Sequence, residues 1–134
     1  MQDIARLAVI ERGEPVARVV AAVATENRAG DPPTATIVVS ERSREQAWFA
    51  READELITVI SGTAPGDPGV APAAMVAAVV EARADTAWVG HTPCLDRTEL
   101  IEGLQQAGIR VVGSSAPTLR ALADPDQMLS LIHI

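Results

Sequence analysis

The sequence predicts a three-layer α/β fold, in which helices cover both faces of an open, mostly parallel sheet of about five strands. Two observations lead to this prediction. Short apolar segments alternate with helical patterns along most of the chain. These segments, such as TATIVVS at 34–40, are nearly continuous apolar runs, which is typical of strands that are covered on both faces. Alternating strands and helices favour a parallel sheet with crossover helices.

The first half of the chain has three strand patterns and two helical patterns. Valines recur at helical spacing from Val16 to Val23, and Pro15 and Gly30 stand where helices usually start and stop. A second, shorter helix is predicted from the apolar spacing of REQAWFAREA. The predicted elements are a strand at 6–10, a helix at 15–27, a strand at 34–40, a helix at 44–53 and a strand at 55–60.

The second half continues the alternation after a loop at 61–72 that holds three glycines and three prolines. Gly108 is placed as the C-cap of a helix. Aromatic residues make up only 2% of the chain, and Trp48 and Trp88 are expected in an otherwise aliphatic core. The predicted elements are helices at 73–84, 95–108 and 116–124 and strands at 86–90 and 109–115.

The composition excludes several classes of protein. The 134 residues suffice for one domain, and a hydrophobic content of 48% excludes a disordered chain. A net charge of −7 argues against nucleic-acid and anionic-membrane partners. The single cysteine, Cys94, excludes a disulfide framework and favours a cytoplasmic location. No apolar run approaches the roughly 20 residues that span a bilayer, and no signal peptide is expected.

The end of the chain reads LSLIHI at 129–134. In one reading frame, the transposon end of a common sequencing-library adapter translates to the same six residues. We therefore expect residues 1–128 to form the domain and 129–134 to be a non-native tail, after which the natural sequence continues differently.

The first strand-to-helix turn reads ERGE at 11–14. Dinucleotide-binding folds carry several glycines at this junction and hold a pyrophosphate there. Here a single glycine lies between carboxylates, which would repel a phosphate. Two interpretations stay open from the residues alone. The glutamates favour the helix dipole and Arg12 pairs with one of them, or the turn has a function other than nucleotide binding.

Other candidate residues carry weaker signals. His91 follows a predicted strand and could serve as a general base, although a plain loop histidine is the simpler interpretation. Cys94 lies too close in sequence to His91 for a thiolate–imidazole pair to be expected. Neither residue has the partners that a zinc site needs. The loop TAPGDPGV at 63–70 lacks the terminal Lys-Ser/Thr of a P-loop.

Three stretches together resemble a known family. IERGEPVAR is similar to the NRGE-containing opening of biotin carboxylases, with Glu11 in place of the usual asparagine. FAREADELITV resembles the segment that follows, and residues 85–122 match a third segment without gaps. The resemblance covers residues 4–127 and is nearest to actinobacterial fused carboxylases. It implies a Rossmann-like domain that precedes an ATP-grasp domain.

The resemblance also implies roles for individual residues. Asp96 stands where the family has a cleft glutamate, and Gln127 lies near the position of a lysine that contacts ATP. The one nucleotide-contacting residue expected of this domain is therefore missing. The matching positions with an implied structural or subunit-interface role are Arg12, Gly13, Glu14, Arg18, Gly90 and Gly113.

The implied activity of the parent protein is ATP-dependent carboxylation of biotin by bicarbonate, followed by transfer to an acyl-CoA. ATP, magnesium and biotin would serve the full-length protein, whereas this chain alone should bind none of them and should not be catalytic. The implied partners are the ATP-grasp and C-terminal domains, a biotin carboxyl carrier domain, a carboxyltransferase and a second copy. Two alternatives stay open: a degenerate structural domain, or an independent module that binds a small ligand near Ser40, Gly90 and Gly113.

Overall fold

The computed structural model describes residues 3–11, 13–30, 32–41, 46–59, 70–90 and 97–113. In this part of the chain, strands and helices alternate as predicted. The elements are β1 (Arg6–Ile10), α1 (Glu14–Ala29), β2 (Ala35–Ser40), a 3₁₀ turn (Trp48–Ala50), β3 (Glu55–Thr58), α2 (Pro72–Glu81), β4 (Thr86–Val89), α3 (Arg97–Gln106) and β5 (Arg110–Val112).

The five strands form one sheet in the order β3-β2-β1-β4-β5, and every neighbouring pair is parallel. At the centre, Leu7 of β1 is paired with Thr36 on one side and Thr86 on the other. The chain therefore winds outward from β1 in one direction and then crosses back to continue from β4. This doubly wound, Rossmann-like architecture confirms the predicted fold class.

Two apolar cores lie on the two faces of the sheet. Successive residues of a strand point to opposite faces, so Val9 packs with α1 and the 3₁₀ turn, whereas Ile10 packs with α2 and α3. The α1 side contains Val16, Val20 and Phe49. The other side is larger and is built from aliphatic residues of both helices, among them Met75, Val79, Leu100, Ile101 and Leu104. Helices on both faces complete the three layers.

The prediction of a helix at 44–53 is wrong for the residues that the structure describes. Only Trp48–Ala50 are helical, as a single 3₁₀ turn, and Ala47 before it adopts φ −95° and ψ 58° with no side-chain cap. Ala47, Phe49 and Ala50 are still buried against α1, because one tight turn is enough to place all three. Residues 42–45 lie outside the described residues.

The prediction that both tryptophans lie in the core is also wrong in part. Trp88 is half-buried and packs beside α1, but Trp48 is 59% exposed. Phe49 occupies the buried position next to it, and its ring meets the Trp48 ring edge-on at a centroid distance of 5.8 Å. Of the two adjacent rings, that of Phe49 therefore lies in the core and that of Trp48 lies at the surface.

Two helices end through the same hydrogen-bonding pattern. After α3, the N–H of Gly108 donates to Gln105 and that of Ile109 donates to Leu104, with Gly108 at φ 82°. This Schellman motif confirms the C-cap predicted for α3. After α2, Ala84 donates to Val79 in the same way, but the left-handed position is Arg83, at φ 60°. The helix therefore ends at Glu81, before the predicted boundary.

The starts of the strands form what we call the amino edge of the sheet, and side chains tie them together. Asp85, just before β4, accepts hydrogen bonds from the N–H groups of Ala5 and Arg6 at 3.0 and 2.8 Å. Asp54, just before β3, accepts one from the N–H of Thr36 at 2.8 Å. In both cases, a carboxylate before one strand accepts hydrogen bonds from backbone N–H groups at the start of the neighbouring strand.

The charge state of Asp85 reflects these contacts. Burial works to raise the pKa of its carboxyl group. Hydrogen bonds from Thr86, Arg6 and Ala5 outweigh that effect, so the pKa lies below its ordinary value of 3.8. The positive charge of Arg110 acts in the same direction. The carboxylate is thus held in its ionised form, which is the form that accepts these bonds.

Further contacts join the amino edge to the helices. The Arg6 guanidinium donates from Nε and Nη2 to the carbonyl of Ala82 after α2, and it pairs with Glu55 of β3 at 2.9 Å. The side-chain amide of Asn27, near the end of α1, exchanges two hydrogen bonds with the backbone of Thr34. One edge of the sheet is therefore fixed to α1, α2 and β3 by polar side chains. None of the described helices, α1 to α3, is long and apolar enough to cross a membrane.

Candidate functional site

The strand ends form the opposite side of the sheet, which we call the carboxyl edge. Here the strand order reverses between β1 and β4, and open α/β sheets bind ligands in the crevice at such a switch point. Glu11 directly follows β1, and Gly90 directly follows β4. Because β1 and β4 are adjacent and parallel, these two residues lie side by side at the crevice. This is the candidate site.

Glu11 occupies the space beside Gly90. Its side chain is buried, with 5% of the residue exposed. A Cβ atom added to Gly90 would overlap Glu11 Oε2 and would come within 2.9 Å of Trp88 Cη2. The N–H of Gly90 also donates to the carbonyl of Ile10 at 3.2 Å. The switch point thus brings a buried carboxylate against a glycine that has no room for a side chain.

The role of Glu11 was not predicted from the sequence. The sequence interpretation treated it as one of two carboxylates near a helix start, equivalent to Glu14. In the structure, Glu14 is exposed and pairs with Arg18 at 2.8 Å, one helical turn later. Glu11 instead ends the buried strand. Its position immediately after an apolar strand was the signal that could have separated the two.

Gly13 makes the turn from β1 into α1. Its φ of 77° and ψ of −153° fall in a region that residues with a side chain rarely adopt. The Val16 N–H donates to the Gly13 carbonyl at 3.1 Å, and Pro15 lies in the first turn of the helix. A glycine at this position therefore lets the strand turn sharply into the helix. The subunit-interface role that the resemblance gives to this turn stays a prediction.

The turn does not fit a nucleotide phosphate. The helix start has no side-chain cap, and its first turn carries the Glu14 carboxylate. The Glu11 carboxylate fills the crevice beside Gly90. A phosphate at the start of α1 would meet both negative charges, which opposes the attraction of the helix dipole. The absence of a nucleotide contact at the β1–α1 turn stays a prediction.

The other carboxyl-edge positions lie where the sequence placed them. Ser40 is the last residue of β2 and is buried. Gly113 follows β5 at φ 130°, and a Cβ atom there would approach the Val89 carbonyl oxygen to 3.1 Å. The glycines at 90 and 113 therefore border the end of β4 from two sides. Ser40 lies two strands away from β4 along the same edge.

Several predicted site residues lie outside the described residues. These are Arg12, His91, Cys94, Asp96 and Gln127. Their implied roles stay predictions. Within the described ranges, no group of three or more His, Cys, Asp or Glu side chains is arranged to hold a metal ion.

The family can now be stated from a comparison with known proteins. A sequence profile of the biotin carboxylase N-terminal domain matches residues 3–119. The chain belongs to this family. The match spans the whole described fold, from the start of β1 to the end of β5, and it includes both sides of the crevice. A search of curated proteins finds no match to the chain.

Solved structures share the fold. The complete multifunctional pyruvate carboxylase from Rhizobium etli superposes with a TM-score of 0.74 at 22% identity, covering 97% of this chain and 12% of that one. The biotin carboxylase domain of a single-chain bacterial carboxylase gives 0.71 at 21% identity, covering 96% and 28%. The biotin carboxylase domain of the Hydrogenobacter thermophilus 2-oxoglutarate carboxylase gives 0.74 at 18%, covering 96% and 26%. The chain thus spans about an eighth to just over a quarter of these relatives.

Proposed function

We propose that this chain is the N-terminal domain of a biotin-dependent carboxylase whose full-length form carboxylates biotin with bicarbonate and ATP. The observation that carries the proposal is the family match over residues 3–119. The fold is compatible with it, since a doubly wound parallel sheet of this strand order has a crevice at its carboxyl edge where ligand sites of such folds lie. The carboxyl group would then pass to an acyl-CoA through a carboxyltransferase.

In this proposal, the domain shapes the cleft and does not hold the nucleotide. The carboxylates at the β1–α1 turn do not fit a phosphate, so ATP and magnesium would be bound by an ATP-grasp domain of the same protein. Glu11, Gly90 and Gly113 would form the floor of the cleft at the switch point. Asp96 is proposed as a cleft carboxylate only by its place in the sequence. The chain alone is proposed to be inactive.

The proposed partners follow from the same family. They are the ATP-grasp and C-terminal domains, a biotin carboxyl carrier domain and a carboxyltransferase, in a cytoplasmic assembly. A second copy is proposed to contact the outer face of α1, where Arg18 and Glu14 are mostly exposed. A fused carboxylase that uses this domain only as a structural contact is the second candidate. It is favoured by the buried glutamate at 11, where the family resemblance has asparagine.

The proposal is tested by the gene and its full-length product. The locus is read downstream of the codon for Met128 in intact DNA, and the complete protein is expressed. We expect an ATP-grasp domain downstream and ADP release that requires both bicarbonate and biotin. The 134-residue chain, assayed in parallel, is expected to release none. A downstream ATP-grasp domain without bicarbonate-dependent ADP release would favour the structural-contact candidate, and a frame without such a domain would contradict the proposal.

A further inference from the structure

Arg97 is the first residue of α3, and it lies on the side of the helix that faces the core. It stands three, four and seven residues before Leu100, Ile101 and Leu104, which are all buried. Residues at these spacings share one face of a helix. Because α3 follows β4, the helix begins at the carboxyl edge of the sheet, and helical side chains lean toward the start of their helix. The Arg97 side chain therefore extends from the core side of α3 toward the carboxyl edge.

The guanidinium group of Arg97 has a buried N–H without an acceptor. Among the described residues, Arg97 Nε is the only buried side-chain nitrogen or oxygen that has no hydrogen-bond partner. An arginine stays ionised at ordinary pH, and its side-chain N–H groups can only donate. Buried charged groups in folded proteins are normally paired, because an unpaired one is strongly destabilising. Arg97 therefore requires an acceptor that carries negative charge.

The described carboxylates of α3 and of the crevice are engaged elsewhere. Glu99, in the first turn of α3, lies about 200° around the helix from Arg97 and lines a groove against α2 together with Glu102. Both of these carboxylates, and Glu11 at the end of β1, have interactions of their own. None of them bonds Arg97 Nε. The acceptor is therefore not one of these carboxylates.

The start of α3 suits an anion better than the start of α1 does. The first N–H groups of any helix have no acceptor within the helix, and the helix dipole places partial positive charge there. At α1, the carboxylates of Glu11 and Glu14 oppose an anion, whereas the ten-residue α3 begins with an arginine on its core side. The guanidinium and the helix dipole thus contribute positive charge at the same place. Phosphate and carboxylate groups are the usual ligands of such a combination.

We propose that Arg97 binds a small oxyanion at the start of α3, with Nε and one terminal nitrogen donating to two oxygens of the anion. Phosphate, bicarbonate and simple carboxylates share the chemistry that this geometry recognises. The proposed site lies on the α3 side of the carboxyl edge, opposite the negatively charged β1–α1 turn. It goes beyond the carboxylase function, in which other domains hold ATP and magnesium, and it does not depend on that function.

The test is a titration of the full chain with sodium phosphate, bicarbonate or acetate, against sodium chloride at equal ionic strength. Nuclear magnetic resonance follows the N–H signal of Arg97 Nε, which is assigned by its loss in Arg97→Lys. We expect this signal to shift saturably with at least one oxyanion and not with chloride, and the melting temperature to rise by at least about 3 °C at ten times the Kd. Phenyl phosphate that binds more tightly than phosphate would show that the anion is carried on a larger molecule, and equal or weaker binding would show a free ion. No saturable shift with any oxyanion would overturn the proposal and place the acceptor within the chain itself.

Variants separate the site from a general salt effect. Phosphate also stabilises proteins because it is excluded from their surfaces, so the response of the wild-type chain is compared with that of Arg97→Leu. Arg97→Leu removes an unpaired buried charge, and we expect it to melt no lower than the wild-type chain in chloride and to lose the rise with oxyanions. Arg97→Lys keeps the charge without the paired donors and should bind about tenfold more weakly.

The matched control is Arg51→Leu. Arg51 is exposed and lies beside α1, on the other face of the sheet, so this variant should keep the wild-type response. An equal rise in melting temperature for Arg97→Leu and the wild-type chain would overturn the proposal.

Discussion

The two edges of the sheet are built on opposite principles. At the amino edge, order depends on particular polar side chains, since Asp85, Asp54 and Asn27 each bond the backbone of a neighbouring segment. At the carboxyl edge, the close packing depends on Gly90 and Gly113, where the neighbouring atoms leave little or no room for a side chain. In one place a carboxylate satisfies backbone donors. In the other, a carboxylate fills the space that a glycine leaves.

This difference separates stability from function within one sheet. In open α/β folds, the ends of the strands bear the ligand sites, and the starts of the strands are free to be optimised for stability. The carboxylates of Asp85 and Glu11 illustrate this separation. Asp85 is held ionised by donors within the fold, whereas Glu11 is placed at the switch point, where the family's cleft would lie. Substitutions at the two edges should therefore have different consequences.

The largest expected effect is at the amino edge. Asp85→Ala removes the acceptor for the N–H groups of Ala5 and Arg6 and for the Thr86 hydroxyl. We expect a loss of about 3 kcal/mol in the free energy of unfolding, because these are charge-assisted bonds in a part-buried place. Urea denaturation measures it. Asp54→Ala loses fewer hydrogen bonds and should lower the free energy of unfolding by about half as much. Equal stability of Asp85→Ala and the wild-type chain would contradict the role given to the amino edge.

Gly90→Ala should destabilise the carboxyl edge by about 2 kcal/mol through overpacking, because the new Cβ overlaps the Glu11 carboxylate. The shorter side chain in Glu11→Asn should recover part of that loss, which a double-mutant cycle measures as a coupling energy. Gly30→Ala serves as the control, since a Cβ there approaches the Glu26 carbonyl oxygen to 3.4 Å. Additive effects of the substitutions at 11 and 90 would contradict the contact.

Acidification should act through Asp85. Its pKa in the folded chain lies below the ordinary 3.8, so its contribution to stability is present above that value and is lost as the pH falls through the folded-state pKa. The stability advantage of the wild-type chain over Asp85→Asn should therefore shrink as the pH is lowered below about 4. Urea denaturation of both proteins between neutral and acidic pH tests it. A stability advantage that does not change with pH would contradict the claim that the ionised carboxylate of Asp85 stabilises the fold.

The smallest effects should come from the helix ends that lead into the amino edge. Arg83 and Gly108 occupy the same left-handed position after α2 and α3. Arg83→Gly should stabilise the chain by about 1 kcal/mol by relieving the strain, and Gly108→Ala should destabilise it by a similar amount. Among the described residues other than its two chain neighbours, no heavy atom lies within 4 Å of a Cβ placed at Gly108, so the comparison measures backbone conformation. In thermal unfolding, we expect the melting temperature to rise in Arg83→Gly and to fall in Gly108→Ala.

Much of the architecture could be predicted from the sequence, because it depends on local patterns. The buried strands are apolar runs, the valines of α1 recur at helical spacing, and Gly108 ends α3 as glycine usually does. The features that were missed depend on tertiary neighbours. The hydrogen bond from the Arg6 N–H to Asp85 joins residues 79 positions apart, and Gly90 meets Glu11 only because β1 and β4 are adjacent.

The error at Trp48 has the same origin. Apolar spacing showed that the segment at 47–50 contacts the core, but it could not show that Phe49 takes the one large buried position. The candidate site was therefore only partly predictable. Its glycines stand out in the sequence, whereas the place of Glu11 depends on the order of strands in the sheet.

The most direct test of the division between the two edges is a pair of variants in the proposed full-length carboxylase, assayed for thermal inactivation and for bicarbonate-dependent ADP release. Asp54→Ala should lower the inactivation midpoint by several degrees and leave the rate at 25 °C within about twofold. Glu11→Asn should lower the midpoint by less than Asp54→Ala does and should alter the rate by at least about fivefold. A Glu11→Asn enzyme that keeps its rate but loses as much thermal stability as Asp54→Ala would contradict the account.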